Sequence, residues 1–275
     1  MVRYRPRPPL DAVVEWLWWS RRDRPSDAVE HQLPTGCAQL VVAGHTDPIP
    51  WCEAASVTPQ TWTRAVVHGP QASYYRSGPK PAGTVAGASF RAGTASAVLG
   101  VPACELTGRH LLLEDLWGAS ARVLHERLMD ACSPDAALAT LEDALRARLH
   151  TPLLLHPAVA CALYNEMPAE TAERVSEVAA HSGYSAKHVI ARFRNGVGLT
   201  PGRYFRIRRF GAVLQRMVAE TPTPLAAIAA DAGYADQAHL TREFRELAGV
   251  TPGRYRPRDA ESPHHHVATH SSAAR

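Results

Sequence analysis

The sequence predicts an α+β chain: a small β-rich N-terminal domain with trailing helices, then an all-α domain of two helix-turn-helix units joined by a long helix. Short β-branched and aromatic runs, separated by Gly, Pro and Ser, occupy the first 91 residues. An internal repeat fills Val175 to Tyr255. From Glu170 to Arg258 there are 14 Arg or Lys against 8 Asp or Glu, whereas the remainder has 16 against 18. A basic C-terminal half attached to a nearly neutral N-terminal half is typical of a nucleic-acid-binding module that carries a second domain.

Both copies of the repeat have Gly and Pro residues at the same positions between their helical segments. The first copy contains Val178-Ala-Ala-His-Ser-Gly-Tyr184 and ends in Gly198-Leu-Thr-Pro-Gly-Arg-Tyr204. The second contains Ile228-Ala-Ala-Asp-Ala-Gly-Tyr234 and ends in Gly249-Val-Thr-Pro-Gly-Arg-Tyr255. Apolar residues at helical spacing, a Gly break and a second helical segment predict a helix-turn-helix, whose second helix can enter the major groove of DNA.

The second copy, from Ile228 to Arg245 and on through Gly249 to Tyr255, closely resembles the AraC/XylS family of bacterial transcription regulators. The resemblance covers about residues 155 to 257. It implies a sequence-specific DNA-binding transcriptional regulator whose two recognition helices lie in successive major grooves of double-stranded DNA. It also implies an N-terminal domain that modulates this activity.

In the second copy, Leu240 and Phe244 are four residues apart and are expected to face the core. Asp236 is placed to cap the helix. Arg can contact guanine with two hydrogen bonds, and Gln can do the same with adenine. The resemblance implies base contacts from Gln237, Ala238, Thr241 and Arg242 and a phosphate contact from His239. The candidate DNA-binding residues of this helix are Gln237, Ala238, His239, Thr241, Arg242 and Arg245.

In the first copy, Val189 and Phe193 define the core side and Ser185 the cap. The candidate DNA-binding residues are Lys187, His188, Ile190, Ala191 and Arg194. Many family members carry Gln, Ser or Arg at positions 190 and 191, where this chain has Ile and Ala. Two interpretations of Ile190 stay open: it contacts thymine methyl groups, or it packs against a neighbouring helix.

Between the two units, Pro201 to about Ala219 predicts one helix of roughly 28 Å, against about 34 Å between successive major-groove faces. This helix would set the recognition helices close to one DNA turn apart. Five arginines near it are candidates either for phosphate contacts or for surface salt bridges: Arg203, Arg206, Arg208, Arg209 and Arg254.

In the N-terminal domain, assigned to residues 1–150, we expect strands at Val13–Trp19, Ala38–Val42, Trp62–His68 and Val85–Arg91. Helices are expected at Ser120–Met129 and Pro134–Leu149. The leucine stripe of the second helix is either an ordinary core face or a surface for a second subunit. The DNA-binding domain is assigned to residues 155–257, and residues 258–275 are expected to form a disordered tail.

Five scattered cysteines, with no Cys-x-x-Cys pair, indicate neither a disulfide framework nor a zinc site. We therefore expect no cofactor, no metal ion, no catalytic site and no enzymatic activity. No apolar run reaches the roughly 18 residues that span a bilayer, so we expect a cytoplasmic protein without a membrane partner. Two alternatives stay open: a DNA-repair methyltransferase fused to this kind of binding domain, and a non-specific architectural DNA binder.

The sequence leaves three further partners open: RNA polymerase, a small-molecule effector and a second copy of the chain. The effector hypothesis depends on the aromatic side chains that crowd the N-terminal domain, because small-molecule sites are mostly apolar with a few polar groups. The candidate lining residues are Trp16, Trp18, Trp51, Trp62, Tyr74 and Tyr75.

Overall fold

The computed structural model describes residues 1–56, 58–150, 155–164, 171–219 and 223–268. The N-terminal half contains ten strands, numbered in chain order, and an eleventh lies near the C-terminal end. They are β1 Val2–Tyr4, β2 Val14–Arg22, β3 Val29–Gln32, β4 Gln39–Ala43, β5 Ile49–Glu53, β6 Gln60–Trp62, β7 Ala65–His68, β8 Tyr75–Ser77, β9 Gly83–Phe90, β10 His110–Leu112 and β11 His265–Ala268.

The strands form two antiparallel sheets. The larger sheet has six strands in the order β1-β2-β9-β4-β7-β10, and the smaller has five in the order β11-β3-β8-β5-β6. The side chains of Val41, Trp51 and Trp62 belong to one buried cluster with contributions from both sheets. This arrangement confirms the predicted β-rich N-terminal domain.

The expected strand Trp62–His68 is in fact two strands in different sheets. Arg64, at φ 60°, has a left-handed backbone conformation, which breaks the extended chain between Trp62 and Ala65. The strand β6 therefore pairs with β5, whereas β7 pairs with β4 and β10. The other three expected strands are confirmed as β2, β4 and β9, with small shifts at their ends.

Eleven α-helices lie within the described residues. In the N-terminal half they are α1 Ser96–Leu99, α2 Ala103–Leu106, α3 Leu113–Trp117, α4 Ala119–Met129 and α5 Pro134–Ala147. In the C-terminal half they are α6 Pro157–Tyr164, α7 Thr171–Ser182, α8 Ala186–Val197, α9 Pro201–Met217, α10 Leu225–Asp231 and α11 Gln237–Ala248. Two short 3-10 helices span Leu10–Ala12 and Pro252–Arg254.

The leucine stripe of α5 packs against the larger sheet. Leu138, Leu141 and Leu145 are buried in one cluster with Leu17 of β2 and Ala88 of β9. Ser133 caps the start of this helix by accepting a hydrogen bond from the Ala136 amide. The stripe is therefore a core face of this domain, so the interpretation as a surface for a second subunit is wrong.

The C-terminal helices enclose a core of their own. Phe193 of α8, Phe210 of α9 and Phe244 of α11 are fully buried in it. Helices α7 and α8 form the first helix-turn-helix, α10 and α11 the second, and α9 joins them. The joining helix has 17 residues and is therefore about 25 Å long, slightly shorter than expected. None of the described helices combines the length and apolar character that crossing a bilayer requires.

The expectation of a disordered tail from residue 258 is wrong as far as Ala268. Strand β11 pairs with β3 of the N-terminal domain, and the Leu33 amide donates to the carbonyl of His264. His266 is buried, and the Tyr255 hydroxyl donates to the carbonyl of Pro263. Two histidines of this polar sequence contact β3, since His265 pairs with Glu30 and the ring of His266 lies edge-on to that of His31. Residues 269–275 of the expected tail lie outside the described residues.

The two halves of the chain also share packing. Leu33, from the loop after β3, is buried in the core of the C-terminal helices. Gly36 lies against the side chains of Tyr204 and Ile207 of α9, where its backbone has φ +77°. The N-terminal domain therefore packs against α9, the helix that joins the two helix-turn-helix units. The division at residues 150 and 155 stays a prediction, and residues 151–154 of the boundary lie outside the described residues.

Candidate nucleic-acid interface

Helix α11 has a well-defined start and end. The Asp236 carboxylate accepts a hydrogen bond of 2.6 Å from the His239 amide, which confirms the predicted cap. Gly249 ends the helix with φ +75°, and its amide donates to the carbonyl of Arg245. Leu240 and Phe244 are fully buried, as their spacing predicts.

The outer face of α11 presents Gln237, Ala238, Arg242 and Arg245 to solvent. Thr241 is half-buried, and its hydroxyl donates to the carbonyl of Gln237 at 2.8 Å. His239 is also half-buried and lies edge-on to Tyr234 with ring centroids 5.2 Å apart. Gln237, at the start of this helix, and Arg242, in its middle, therefore present long polar side chains to solvent. Thr241 offers its methyl group and a hydroxyl already satisfied by the backbone.

A buried carboxylate that the sequence analysis did not identify holds α11 against α9. Glu243, 5% exposed, accepts hydrogen bonds from Arg206 Nε at 2.8 Å, Arg209 at 2.9 Å and the Tyr234 hydroxyl at 2.6 Å. Burial, reinforced by the hydrogen bond to Glu243, raises the pKa of Tyr234. The signal in the sequence was a Glu one position before a buried Phe, on the core side of the helix, with two arginines three residues apart on α9.

Arg206 and Arg209 were left open as residues that contact phosphate or form salt bridges, and the contacts of Glu243 show that both form salt bridges. Both side chains are committed to Glu243, and the Arg209 guanidinium also lies 4.2 Å from the ring centre of Tyr234. Arg203, Arg208 and Arg254 are exposed. The arginines of α9 thus divide into a structural pair and a set of side chains that face solvent.

Helix α8 begins and ends in the same way as α11, but its exposed face carries different residues. Ser185 accepts a hydrogen bond of 3.3 Å from the His188 amide, as predicted, and Gly198 ends the helix with φ +92°. Val189 and Phe193 are fully buried. Its outward residues are Lys187, Ile190, Ala191 and Arg194, all of them exposed.

Ile190 and His188 of α8 differ in their surroundings. Ile190 is 39% exposed, so the interpretation that it packs against a neighbouring helix is wrong. His188 is half-buried and stacked on Tyr184 with ring centroids 4.7 Å apart. Its Nε2 accepts a hydrogen bond of 3.2 Å from Arg192. The imidazole is therefore already engaged within the helix-turn-helix and lies at the edge of the outward face.

Residues 169–258 match the family described as a helix-turn-helix domain. An AraC-like transcription regulator of Streptomyces antibioticus is 35% identical over 105 residues, which is 38% of this chain and 34% of that protein. Residues 169–258 form an AraC-type helix-turn-helix domain. The HTH-type transcriptional regulator Rv1931c of Mycobacterium tuberculosis is 36% identical over 86 residues, 31% of this chain and 32% of the relative.

The multiple antibiotic resistance protein MarA of Escherichia coli K12 is 34% identical to this chain over 84 residues, which is 30% of this chain and 63% of MarA. This chain thus spans less than two thirds of the length of each relative. Residues 2–112 match a domain of unknown function, DUF6597. The crystal structure of ToxT from Vibrio cholerae O395 aligns with 86% of this chain and 94% of its own, at 8% identity and a TM-score of 0.44.

The histidines and cysteines form no metal cage in the part of the chain that the structure describes. No group of three or more His, Cys, Asp or Glu side chains there has an arrangement that holds a metal ion. None of the five cysteines is in a disulfide bond, and burial raises the pKa of the Cys37 thiol to about 11. A buried thiol with a raised pKa is unreactive as a nucleophile.

Proposed function

We propose that this chain is a sequence-specific DNA-binding transcriptional regulator whose helices α8 and α11 enter successive major grooves of double-stranded DNA. The observation that carries the proposal is the pair of recognition-type helices, each capped at its start, ended by a left-handed glycine, and exposed on the face opposite its core residues. An α-helix presented in this way fits the major groove. The AraC-type domain supports the same conclusion.

The two helices would divide the contacts unequally. Arg242 and Gln237 carry groups that can form two hydrogen bonds with guanine and adenine respectively, each contributing about 1–3 kcal/mol of discrimination. Ile190 and Ala191 offer only apolar contact with thymine methyl groups, flanked by Lys187 and Arg194. The exposed arginines Arg203, Arg208 and Arg254 would contact phosphates, together with Arg245. In this proposal, α11 supplies most of the sequence selectivity.

The N-terminal domain would modulate DNA binding through the packing that it shares with α9 and α11. Four of the six aromatic residues expected to line one effector site, Trp18, Trp51, Trp62 and Tyr75, lie together in one packed cluster. The other two lie elsewhere, because Arg5 covers Trp16 and Tyr74 packs beside the end of α11. A cavity of about 30 Å³ is lined by both apolar and polar residues, including Leu33, Gln39 and Gln71. A small polar effector, a second copy of the chain and RNA polymerase complete the proposed set of partners.

Selection of duplexes from a random-sequence pool by the full chain tests the proposed function. We expect one enriched sequence, and specific affinity for it on the order of a thousandfold above that for random duplex at one fixed salt concentration. Binding that depends steeply on salt but enriches no sequence would instead identify a non-specific architectural binder. Stoichiometric zinc in the purified chain would favour the fused methyltransferase.

A further inference from the structure

The N-terminal domain contacts the C-terminal ends of both recognition helices, at or next to the Gly residue that ends each helix. The last carbonyl groups of an α-helix have no partner within the helix. At the end of α8, the Thr107 hydroxyl donates a hydrogen bond of 2.6 Å to the carbonyl of Gly198. At the end of α11, His31 Nδ1 lies 2.9 Å from the carbonyl of Ala248. A carbonyl only accepts, so His31 carries its proton on Nδ1 and donates.

Close packing accompanies each of these hydrogen bonds. A Cβ atom at Gly198 would lie 2.8 Å from Thr107 Oγ1 and 3.0 Å from Pro70 Cγ, and one at Gly249 would overlap the ring of Tyr74. Tyr74 is stacked on His31 with ring centroids 4.5 Å apart. Both glycines also have a positive φ, so each position requires glycine for conformation and for space.

These contacts come from separate parts of the N-terminal domain that its fold joins firmly. Thr107 and Pro70 are tied together because the Gly108 amide donates to the carbonyl of Pro70. His31 lies on β3, which pairs with β8, and Tyr74 directly precedes β8. Gly36, in the loop after β3, packs against Tyr204 of the joining helix. One domain therefore holds the first recognition helix, the joining helix and the second recognition helix.

We propose that Thr107 and the His31–Tyr74 pair are positioning residues that fix the spacing between the two recognition helices, and hence the spacing between the two DNA segments that the chain accepts. This inference rests on the proposed function. The physical reason is that α9 alone is about 25 Å long, shorter than the roughly 34 Å between successive major-groove faces. The orientation of each recognition helix on α9 then decides where that helix lies, and the two contacts (the clamp) act on the C-terminal ends of the recognition helices.

The test uses the full chain and the duplex that it selects from a random pool, with one, two or three base pairs inserted or removed between the two contacted segments. Thr107→Val and His31→Leu, singly and together, remove the two donors while keeping comparable side-chain volume. Thr107→Ser and His31→Asn retain a donor near the same place and serve as matched controls. Circular dichroism and thermal unfolding establish that each variant is folded.

We expect the wild-type chain to lose on the order of tenfold in affinity when the spacing changes by one or two base pairs. One neutral hydrogen bond corresponds to about fivefold, so the double variant should show a spacing penalty of threefold or less. Thr107→Ser and His31→Asn should retain the wild-type penalty. If the double variant is unfolded, Thr107→Val alone should show an intermediate penalty.

Three results distinguish the possibilities. If the wild-type chain enriches no sequence, the proposed function is wrong and the inference falls with it. If it selects one spacing and the folded variants retain the full penalty, the proposed function stands and the clamp is refuted. A wild-type chain that tolerates every spacing equally also refutes the clamp.

Discussion

Glu243 of the second recognition helix accepts a hydrogen bond of 2.9 Å from Arg209 of the joining helix, and this buried pair fixes how α11 sits on α9. Arg206 and Tyr234 share the same carboxylate. Charge buried in this way stabilises a structure only while every partner is present. A single substitution in this pair should therefore shift the exposed face of α11 without changing any of the side chains proposed to contact DNA.

Replacement of Glu243 by Gln should lower the free energy of unfolding by about 2–3 kcal/mol, because two guanidinium groups then lose their carboxylate. The value lies below the usual range for buried pairs since the Arg206 side chain is 37% exposed. Glu246→Gln is the matched control: this neighbour also pairs with Arg206 but is 64% exposed, so its loss should cost under about 1 kcal/mol. Urea unfolding measures both values. Equal effects would show that burial of Glu243 has no special consequence.

Arg242→Ala should abolish specific DNA binding, whereas Lys187→Ala should weaken it more modestly. The reason is that α11 presents an exposed Gln at its start and an exposed Arg in its middle, while Ile190 and Ala191 on the corresponding face of α8 are apolar. Affinities for the selected duplex and for random duplex are compared at one salt concentration. Arg21→Ala, which removes one positive charge from β2, controls for net charge. If Lys187→Ala proves the more damaging change, the assignment of the two helices is reversed.

A chain ending at Pro257 should be less stable than one ending at Ala268, the matched reference. The shorter chain lacks β11, Tyr255 loses the carbonyl of Pro263, and Glu30 loses Arg258 and His265. Burial raises the pKa of Glu30, but the hydrogen bond from His265 and the charge of Lys80 hold it well below its usual range. We expect a loss of at least about 2 kcal/mol, measured by thermal unfolding. Identical melting curves would show that the strand contributes nothing.

Stability should fall as the pH drops from about 7 towards 4. Burial is the largest influence on His110, His264 and His265 and lowers the pKa of each to about 4. The unfolded chain takes up these protons near pH 6.5 and the folded chain does not, so acid favours unfolding across this window. Each histidine should contribute on the order of 1 kcal/mol between pH 7 and pH 5. His265→Gln should reduce the slope, whereas a Gln at exposed His181 should not; an unchanged slope for His265→Gln would contradict the assignment.

The repetitive parts of the chain were the most predictable from sequence. The caps at Ser185 and Asp236 and the buried Phe positions follow local rules, and the structure confirms them. Non-local pairing was not predictable in the same way. The local sequence of the polar, His-rich tail does not indicate that the tail pairs with β3. The residues around Trp62 likewise do not indicate that the backbone at Arg64 is left-handed and divides the segment between two sheets.

The candidate interface shows the same division. The spacing of apolar residues identified which side of α8 and α11 faces outward, because helical geometry determines it. It left open whether Ile190 meets a neighbour, and whether Arg206 and Arg209 face phosphate or carboxylate. Those answers depend on the packing of α9 against α11, where Glu243 lies, and a helical period contains no information about that contact.

Hydroxyl-radical footprinting of the full chain on its selected duplex tests the central claim most directly. Two recognition helices in successive major grooves predict two protected segments on one face of the DNA, with centres about 10–10.5 base pairs apart. Because Arg242→Ala should abolish specific binding, it should remove both protected segments. A single protected segment, or uniform protection along the duplex, would contradict the claim that both helices read DNA.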